Sequence, residues 1–370
     1  MDQWLLHHGL RYTRTPTQLL ASIMMMTLAL SIFIPNTMTI LLLMPFIGSI
    51  SREVSSATTA TATTCTMLGL AVIYAANIGG MASLLGSPAN ALFLFSLQAH
   101  GLPTNEFSIL RWFAFGIPMA LAFLLGAGAI LLTFYRKHVA SLSLKEVPSC
   151  PPKIADANRI LCIIMFSMAG PIISTLLPES AGSFVAITVL GATAVLVFLL
   201  PLPQRKEPLL RLRDLYSRLP WRGITFMAVA IGLILLTASI WNPMTAGKQI
   251  GAAFPPMSET TIVVTLTATT IFATEVLSNS VSAILHYYVV YTAMGPQIDD
   301  PAMILLAINL ASTCAFMSPI STPATALAFG GLRDLSLRDM LVLGCIINVF
   351  AALLIVVCCT YWIPWVLTSL

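Results

Sequence analysis

Four short polar breaks, arranged as two matched pairs, interrupt the apolar runs of this chain. Residues 34–42 read Ile-Pro-Asn-Thr-Met-Thr-Ile-Leu-Leu, and residues 277–285 read Leu-Ser-Asn-Ser-Val-Ser-Ala-Ile-Leu. Each is followed by a second break, Gly-Ser-Pro-Ala-Asn-Ala-Leu at 86–92 and Ser-Thr-Pro-Ala-Thr-Ala-Leu at 321–327. Aligning Pro88 with Pro323 also matches Ala89 with Ala324, Ala91 with Ala326 and Leu92 with Leu327. In lipid, unwound backbone is tolerated only where protein or a water-filled cavity surrounds it. Duplicated breaks of this kind point to two structural repeats with a binding site between them.

Composition fixes the surroundings. The chain is 58% hydrophobic and 9% charged, against about 25% charged for a soluble domain. It therefore reads as an all-α, polytopic membrane protein and not a nucleic-acid binder. The seven cysteines include no CxxC pair and read as small core residues. The start, Met-Asp-Gln-Trp-Leu-Leu-His-His, lacks the pattern of a secretory signal.

A span needs about 20 apolar residues. Spans are predicted at 58–98 (interrupted), 107–135, 158–177, 182–201, 222–240, 303–330 (interrupted) and 341–361. The arms around the other two breaks, 19–34 with 38–50 and 260–276 with 281–291, are short for a crossing and predict re-entrant hairpins. The bundle thus divides into a surface helix at 1–18, a first repeat at 19–135, a loop at 136–157 and a second repeat at 158–361. The first repeat holds hairpin 19–50, and the second holds spans within 158–240 and hairpin 260–291.

The positive-inside rule sorts this scheme. One side collects every one of the 18 Lys and Arg except Arg111 and Lys248. The other side also holds Glu106, Glu179, Glu259, Asp299 and Asp300. The N-terminus is then cytoplasmic, the C-terminus outside, and the repeats are inverted. Three spans precede the second hairpin but only the amphipathic stretch 1–18 precedes the first, so the symmetry predicts missing N-terminal spans.

An anion site in a membrane could use arginine or lysine, but neither occurs within the breaks. Helix N-termini offer free N–H groups and about half a positive charge each. Pro35, Pro88 and Pro323 break the helices, and Gly79, Gly80 and Gly86 loosen the chain. Asn36, Thr37, Ser87, Asn90, Asn279, Ser280, Thr322 and Thr325 add amides and hydroxyls. Such oxygens with unwound carbonyls suit a small hard cation such as Na⁺, which would offset the anion's charge. A cation-coupled carrier of a small anion follows.

These motifs resemble the divalent anion:sodium symporter family of the ion transporter superfamily, over most of residues 19–340. The resemblance includes Tyr-Ala-Ala-Asn-Ile-Gly-Gly at 74–80, Leu-Pro-Trp at 219–221 and Thr-Glu-Val-Leu-Ser-Asn at 274–279. It implies one Na⁺ site at Ser31, Pro35, Asn36 and Gly86, and a second at Thr274, Leu277, Asn279 and Ser321. It implies substrate contacts from Asn36, Thr37, Ser87 and Pro88 in one half, and from Asn279, Ser280, Thr322 and Pro323 in the other. It further implies a homodimer in the plasma membrane, working by an elevator motion on a dicarboxylate, citrate or sulfate. The chain departs from the family at Pro35, where a Ser is usual, at Ser280 for Thr, at Ala89 for Pro and at Thr325 for Asn.

Other readings stay open at this stage. A lone Asn-Thr in a membrane helix can be interhelical glue, and the glycines can serve close packing. Glu275 reads as an elbow residue bonded to backbone N–H groups, with proton coupling or cation ligation as the alternative. His286 reads as a packed, hydrogen-bonded histidine. Proton coupling, exchange transport and a transport-incompetent remnant are the rival functions. No nucleophile–base motif points to an enzyme.

Overall fold

The computed structural model describes residues 15–54, 58–142, 179–201, 257–291, 300–322 and 334–369, with scattered positions between them. The regular elements among these residues are all helical. The chain falls into two compact units, one of residues 12–147 with 241–370 and one of residues 1–11 with 148–240. In the second unit the described helix is Glu179–Leu199, where the sequence predicts a span at 182–201. The surface stretch 1–12, most of 158–177 and all of 222–240 lie outside the described residues.

The larger unit carries both pairs of breaks. Helix α1 (Pro16–Phe33) starts in a capping box, with Gln18 N–H donating to Thr15 Oγ1 at 3.2 Å and Thr15 N–H to Gln18 Oε1 at 3.3 Å. It stops because Pro35 forces the residue before it out of the helical region; Ile34 sits at φ −119°, ψ 134°. The Pro35 carbonyl then accepts the N–H groups of Met38 and Thr39 at 2.9 and 3.1 Å, which starts α2 (Asn36–Val54).

The two helices double back along α3 (Thr58–Met81). The end of α1 meets the end of α3, where Ser31 Oγ donates to the Ala76 carbonyl at 2.7 Å. Helix α1 also touches the short helix α6 (Arg136–Ser141), which meets α3 with His138 Nε2 2.9 Å from Thr64 Oγ1. Helix α2 returns the chain to the start of α3. At 18 residues, α1 begins three residues earlier than the expected arm and is long and apolar enough to cross a membrane. Its length of about 27 Å comes close to a bilayer core of about 30 Å.

After α3 the chain unwinds over residues 82–87 and restarts as α4 (Pro88–Ala99) behind the Ser87 cap. Gly79 and Gly80 do not loosen the chain as expected, because both remain within α3. Their role is close packing: a Cβ on Gly79 would lie 2.7 Å from Ser31 Cβ and 2.8 Å from the Leu28 carbonyl oxygen. Helix α5 (Ile109–Phe134) completes this half, matching the span predicted at 107–135.

The second half repeats the plan. Helices α8 (Glu259–Thr274) and α9 (Asn279–Val289) follow Glu179–Leu199 (α7), and Ser282 Oγ donates to the Thr270 carbonyl at 3.3 Å across the bend between them. These arms, of 16 and 11 residues, are short for a crossing. Helix α10 (Pro301–Ser312) is capped by Asp300 and unwinds from residue 313. Last come α11 (Leu337–Val357), a π turn (Cys358–Trp362) and α12 (Ile363–Ser369). Gly344 lets α11 lie against the unwound strand, since a Cβ there would be 2.5 Å from the Phe316 carbonyl oxygen. Phe316 packs edge-on against Tyr74 and Phe123, with ring centroids 5.5 and 5.6 Å apart.

Four helical segments among the described residues are long and apolar enough to span a bilayer, namely Pro16–Phe33, Ala60–Met81, Ile109–Phe134 and Leu337–Ser369.

Candidate functional site

At the first bend, the hydroxyl of Ser31 and the amide of Asn36 both turn onto α3. Asn36 Nδ2 donates to Asn77 Oδ1 at 3.1 Å. Gly80 leaves room for it, because a Cβ there would stand 3.0 Å from Asn36 Oδ1. The following break is tied to the same place. Ser83 Oγ donates to the Ile32 carbonyl and accepts from Gly86 N–H at 3.1 Å. Gly86 must be glycine here, since a Cβ would lie 2.7 Å from Gly80 Cα.

The second bend is built alike. Thr274, which aligns with Ser31 when Asn279 is set on Asn36, donates its hydroxyl to the Ser312 carbonyl at 2.8 Å. It also lies 3.2 Å from Asn279 Oδ1. In both halves, then, a hydroxyl near the end of the incoming arm bonds a main-chain carbonyl near the end of the broken helix.

One difference separates the bends. Where the first has Ile32, the second has Glu275. Its Oε1 accepts from Phe316 N–H at 2.8 Å, Met317 N–H at 2.9 Å and Asn348 Nδ2 at 2.7 Å, and its Oε2 accepts from Ser318 N–H at 2.7 Å. Four N–H donors stabilise this buried carboxylate, and among the described residues none of its donors is a lysine or arginine. The sequence reading of Glu275 as an elbow bonded to backbone holds. So does that of His286, whose Nδ1 lies 2.8 Å from the Ser282 carbonyl.

The halves are cross-linked within this unit by asparagines. Asn77 is fully buried, and its Nδ2 donates to the Ala315 carbonyl at 2.8 Å. Asn90 Nδ2 donates to the Gly80 and Ser83 carbonyls at 3.0 and 2.6 Å, and Asn90 Oδ1 accepts from Asn309 Nδ2 at 2.8 Å. Asn77, Asn309 and Asn348 were not singled out from the sequence as site residues. The available signal was a strong hydrogen-bonding side chain inside an otherwise apolar run.

The remaining expected site residues fall as follows. Ser87 is buried and caps α4, its Oγ accepting from Ala89 N–H at 3.3 Å, while Pro88 and Pro35 are exposed. Gly86 is buried; Leu277, Asn279 and Ser280 are partly exposed at the second tip. Ser321 Oγ donates to the Ser318 carbonyl at 2.7 Å. Thr322 Oγ1 accepts from Thr325 N–H at 3.1 Å, and Thr325 Oγ1 from Thr322 N–H at 3.1 Å, so the departure at Thr325 closes a capping turn. Pro323 and the side chain of Thr37 lie outside the described residues.

Chemically the two tips offer oxygen. The hydroxyl protons of Ser31, Thr274 and Ser321 point at main-chain carbonyls, which leaves their lone pairs for a hard cation. The described residues contain no group of His, Cys, Asp or Glu suited to a transition metal. The helix starts at Asn36, Pro88 and Asn279 supply N–H donors for an anion.

Comparison with known proteins agrees with this arrangement. Residues 1–299 match the model of the citrate transporter family CitMHS. The chain is 24% identical over 404 residues to the sodium-dependent dicarboxylate transporter SdcS of Staphylococcus saprophyticus, covering 99% of this chain and 74% of that protein. It is 25% identical over 400 residues to SdcS of Staphylococcus aureus strain NCTC 8325, with the same coverage of both chains. These are transporters and not enzymes, as the sequence reading expected. The chain is an integral membrane protein that belongs to the citrate transporter family.

Proposed function

We propose that the protein is a secondary transporter of a small di- or tricarboxylate, such as succinate, malate or citrate, in the plasma membrane and driven by Na⁺. The reading is carried by the paired contacts Ser31 to Ala76 and Thr274 to Ser312, each beside a tip asparagine. It is supported by the naming of relatives as sodium-dependent dicarboxylate transporters. Ser31, Pro35, Asn36 and Gly86 would hold one Na⁺. Thr274, Asn279, Ser321 and the Leu277 carbonyl would hold the other. The bound ions would supply positive charge against the substrate. Asn36, Thr37, Ser87 and Pro88 would meet it from one half, and Asn279, Ser280, Thr322 and Pro323 from the other. The folded-back pairs α1–α2 and α8–α9 would be re-entrant hairpins in inverted repeats, moving as an elevator in a homodimer.

Proteoliposomes holding the full chain are expected to accumulate labelled succinate or citrate under an inward Na⁺ gradient. Equal uptake in choline would reject Na⁺ coupling.

Orientation has its own test. In a cysteine-depleted background, Asn105→Cys is expected to react with an impermeant maleimide from outside intact cells. Ser141→Cys is expected to react only after permeabilisation. The opposite pattern would overturn the topology.

A further inference from the structure

The second bend bonds residues 312–318 directly, and the first bend reaches them through one asparagine. Thr274 Oγ1 bonds the Ser312 carbonyl at 2.8 Å, Ser321 Oγ the Ser318 carbonyl at 2.7 Å, and Glu275 the N–H groups of Phe316, Met317 and Ser318. These contacts come from the second half. From the first half comes Asn77, whose two ends do different jobs: Oδ1 accepts from Asn36 Nδ2 at 3.1 Å, and Nδ2 donates to the Ala315 carbonyl at 2.8 Å. Asn77 is 0% exposed, so no water competes for either bond.

We propose that Asn77 is a positioning residue that couples the two cation sites, by tying the Asn36 amide of one to the segment 312–318, whose Ser312 and Ser318 carbonyls hold Thr274 and Ser321 of the other. The proposal rests on the Na⁺-coupled reading above and adds a residue and a linkage to it. The mechanism is steric and directional. An amide has one acceptor end and one donor end. If a cation draws Asn36 Oδ1 toward itself, Asn36 Nδ2 turns with it and Asn77 must follow or lose its bond. Its other end then shifts the Ala315 carbonyl, one residue before the N–H run on Glu275. Spatial intermediacy alone does not establish coupling; a linkage between the two sites does.

The test needs no transport. Purified full-length protein in detergent is titrated with NaCl at constant ionic strength, with choline chloride as the balance, and the melting temperature is followed at each concentration. Asn77→Leu removes both bonds at similar volume, and Asn77→Ser does so with a small polar side chain should leucine prevent folding. Thr27→Val is the control, because it deletes an equally buried hydroxyl that bonds only back to Ile23 of its own helix, at 2.7 Å. Wild type is expected to be stabilised by Na⁺ with a Hill coefficient well above about 1, and both Asn77 variants with one near about 1. Thr27→Val is expected to melt lower while keeping the wild-type coefficient. An unchanged coefficient in the Asn77 variants overturns the proposal, as does an equal loss in Thr27→Val, which would mark a structural role only. If wild type itself shows no Na⁺-specific stabilisation, the sodium reading fails and this inference falls with it.

Discussion

Glu275→Leu is expected to lower stability by at least about 3 kcal/mol, because it removes the shared acceptor of four N–H donors. The reason is the set of donors left behind. The N–H groups of Phe316, Met317 and Ser318 and the amide of Asn348 all point at this carboxylate. Each buried donor without a partner costs about 1–3 kcal/mol. Helix α11 would lose its polar tie to the unwound stretch at the same time, because Asn348 reaches it through Glu275, and would keep only the packing at Gly344. Glu275→Gln is expected to fall between wild type and leucine, since one acceptor oxygen survives while the new NH₂ meets other donors. Thermal unfolding in detergent checks this. A leucine variant that melts within a degree or two of wild type would mean that the donors find other partners and that the carboxylate is dispensable.

Asn279→Ala is expected to abolish Na⁺-driven uptake at normal expression and normal size-exclusion profile. Asn279 Oδ1 lies 3.2 Å from Thr274 Oγ1 at the second tip. Its loss removes a cation ligand and an anion donor together in the proposed site. The stability cost is small by comparison, because the residue is partly exposed at the first position of α9. Uptake is read in the same proteoliposomes as wild type. Retained uptake would make the second bend a structural turn and would move the site elsewhere.

The breaks themselves were legible because proline acts locally. Pro35 and Pro88 place the helix ends within a residue or two, whatever surrounds them. Ser31 and Thr274 were named only through the family resemblance, and their equivalence shows in the matching bonds each makes to a main-chain carbonyl. The glycines were not. Gly79 and Gly80 look like hinge residues in a one-dimensional pattern, yet they stay helical, because their missing side chains make room for Ser31 and Asn36. The unwound stretch after α10 was also misjudged. It opens at residue 313, well ahead of the expected break at 321–327, and its start carries neither glycine nor proline. What holds it open is Glu275, 41 residues earlier in the chain from Phe316. A contact of that range leaves no local trace. The same holds for Asn77 and Ala315, 238 residues apart. Membrane burial, by contrast, was readable at once, since composition alone rules out a solvated surface.

The four-donor clasp on Glu275 also sets an order of assembly. The carboxylate leaves the ribosome before any of its partners, and Asn348 follows 73 residues later. Proteins are made from the N-terminus at about 5–20 residues per second, so the three backbone donors follow the carboxylate first and the Asn348 amide closes the set several seconds after it was made. The second bend therefore completes its polar contacts only after α10, the unwound stretch and half of α11 have been made.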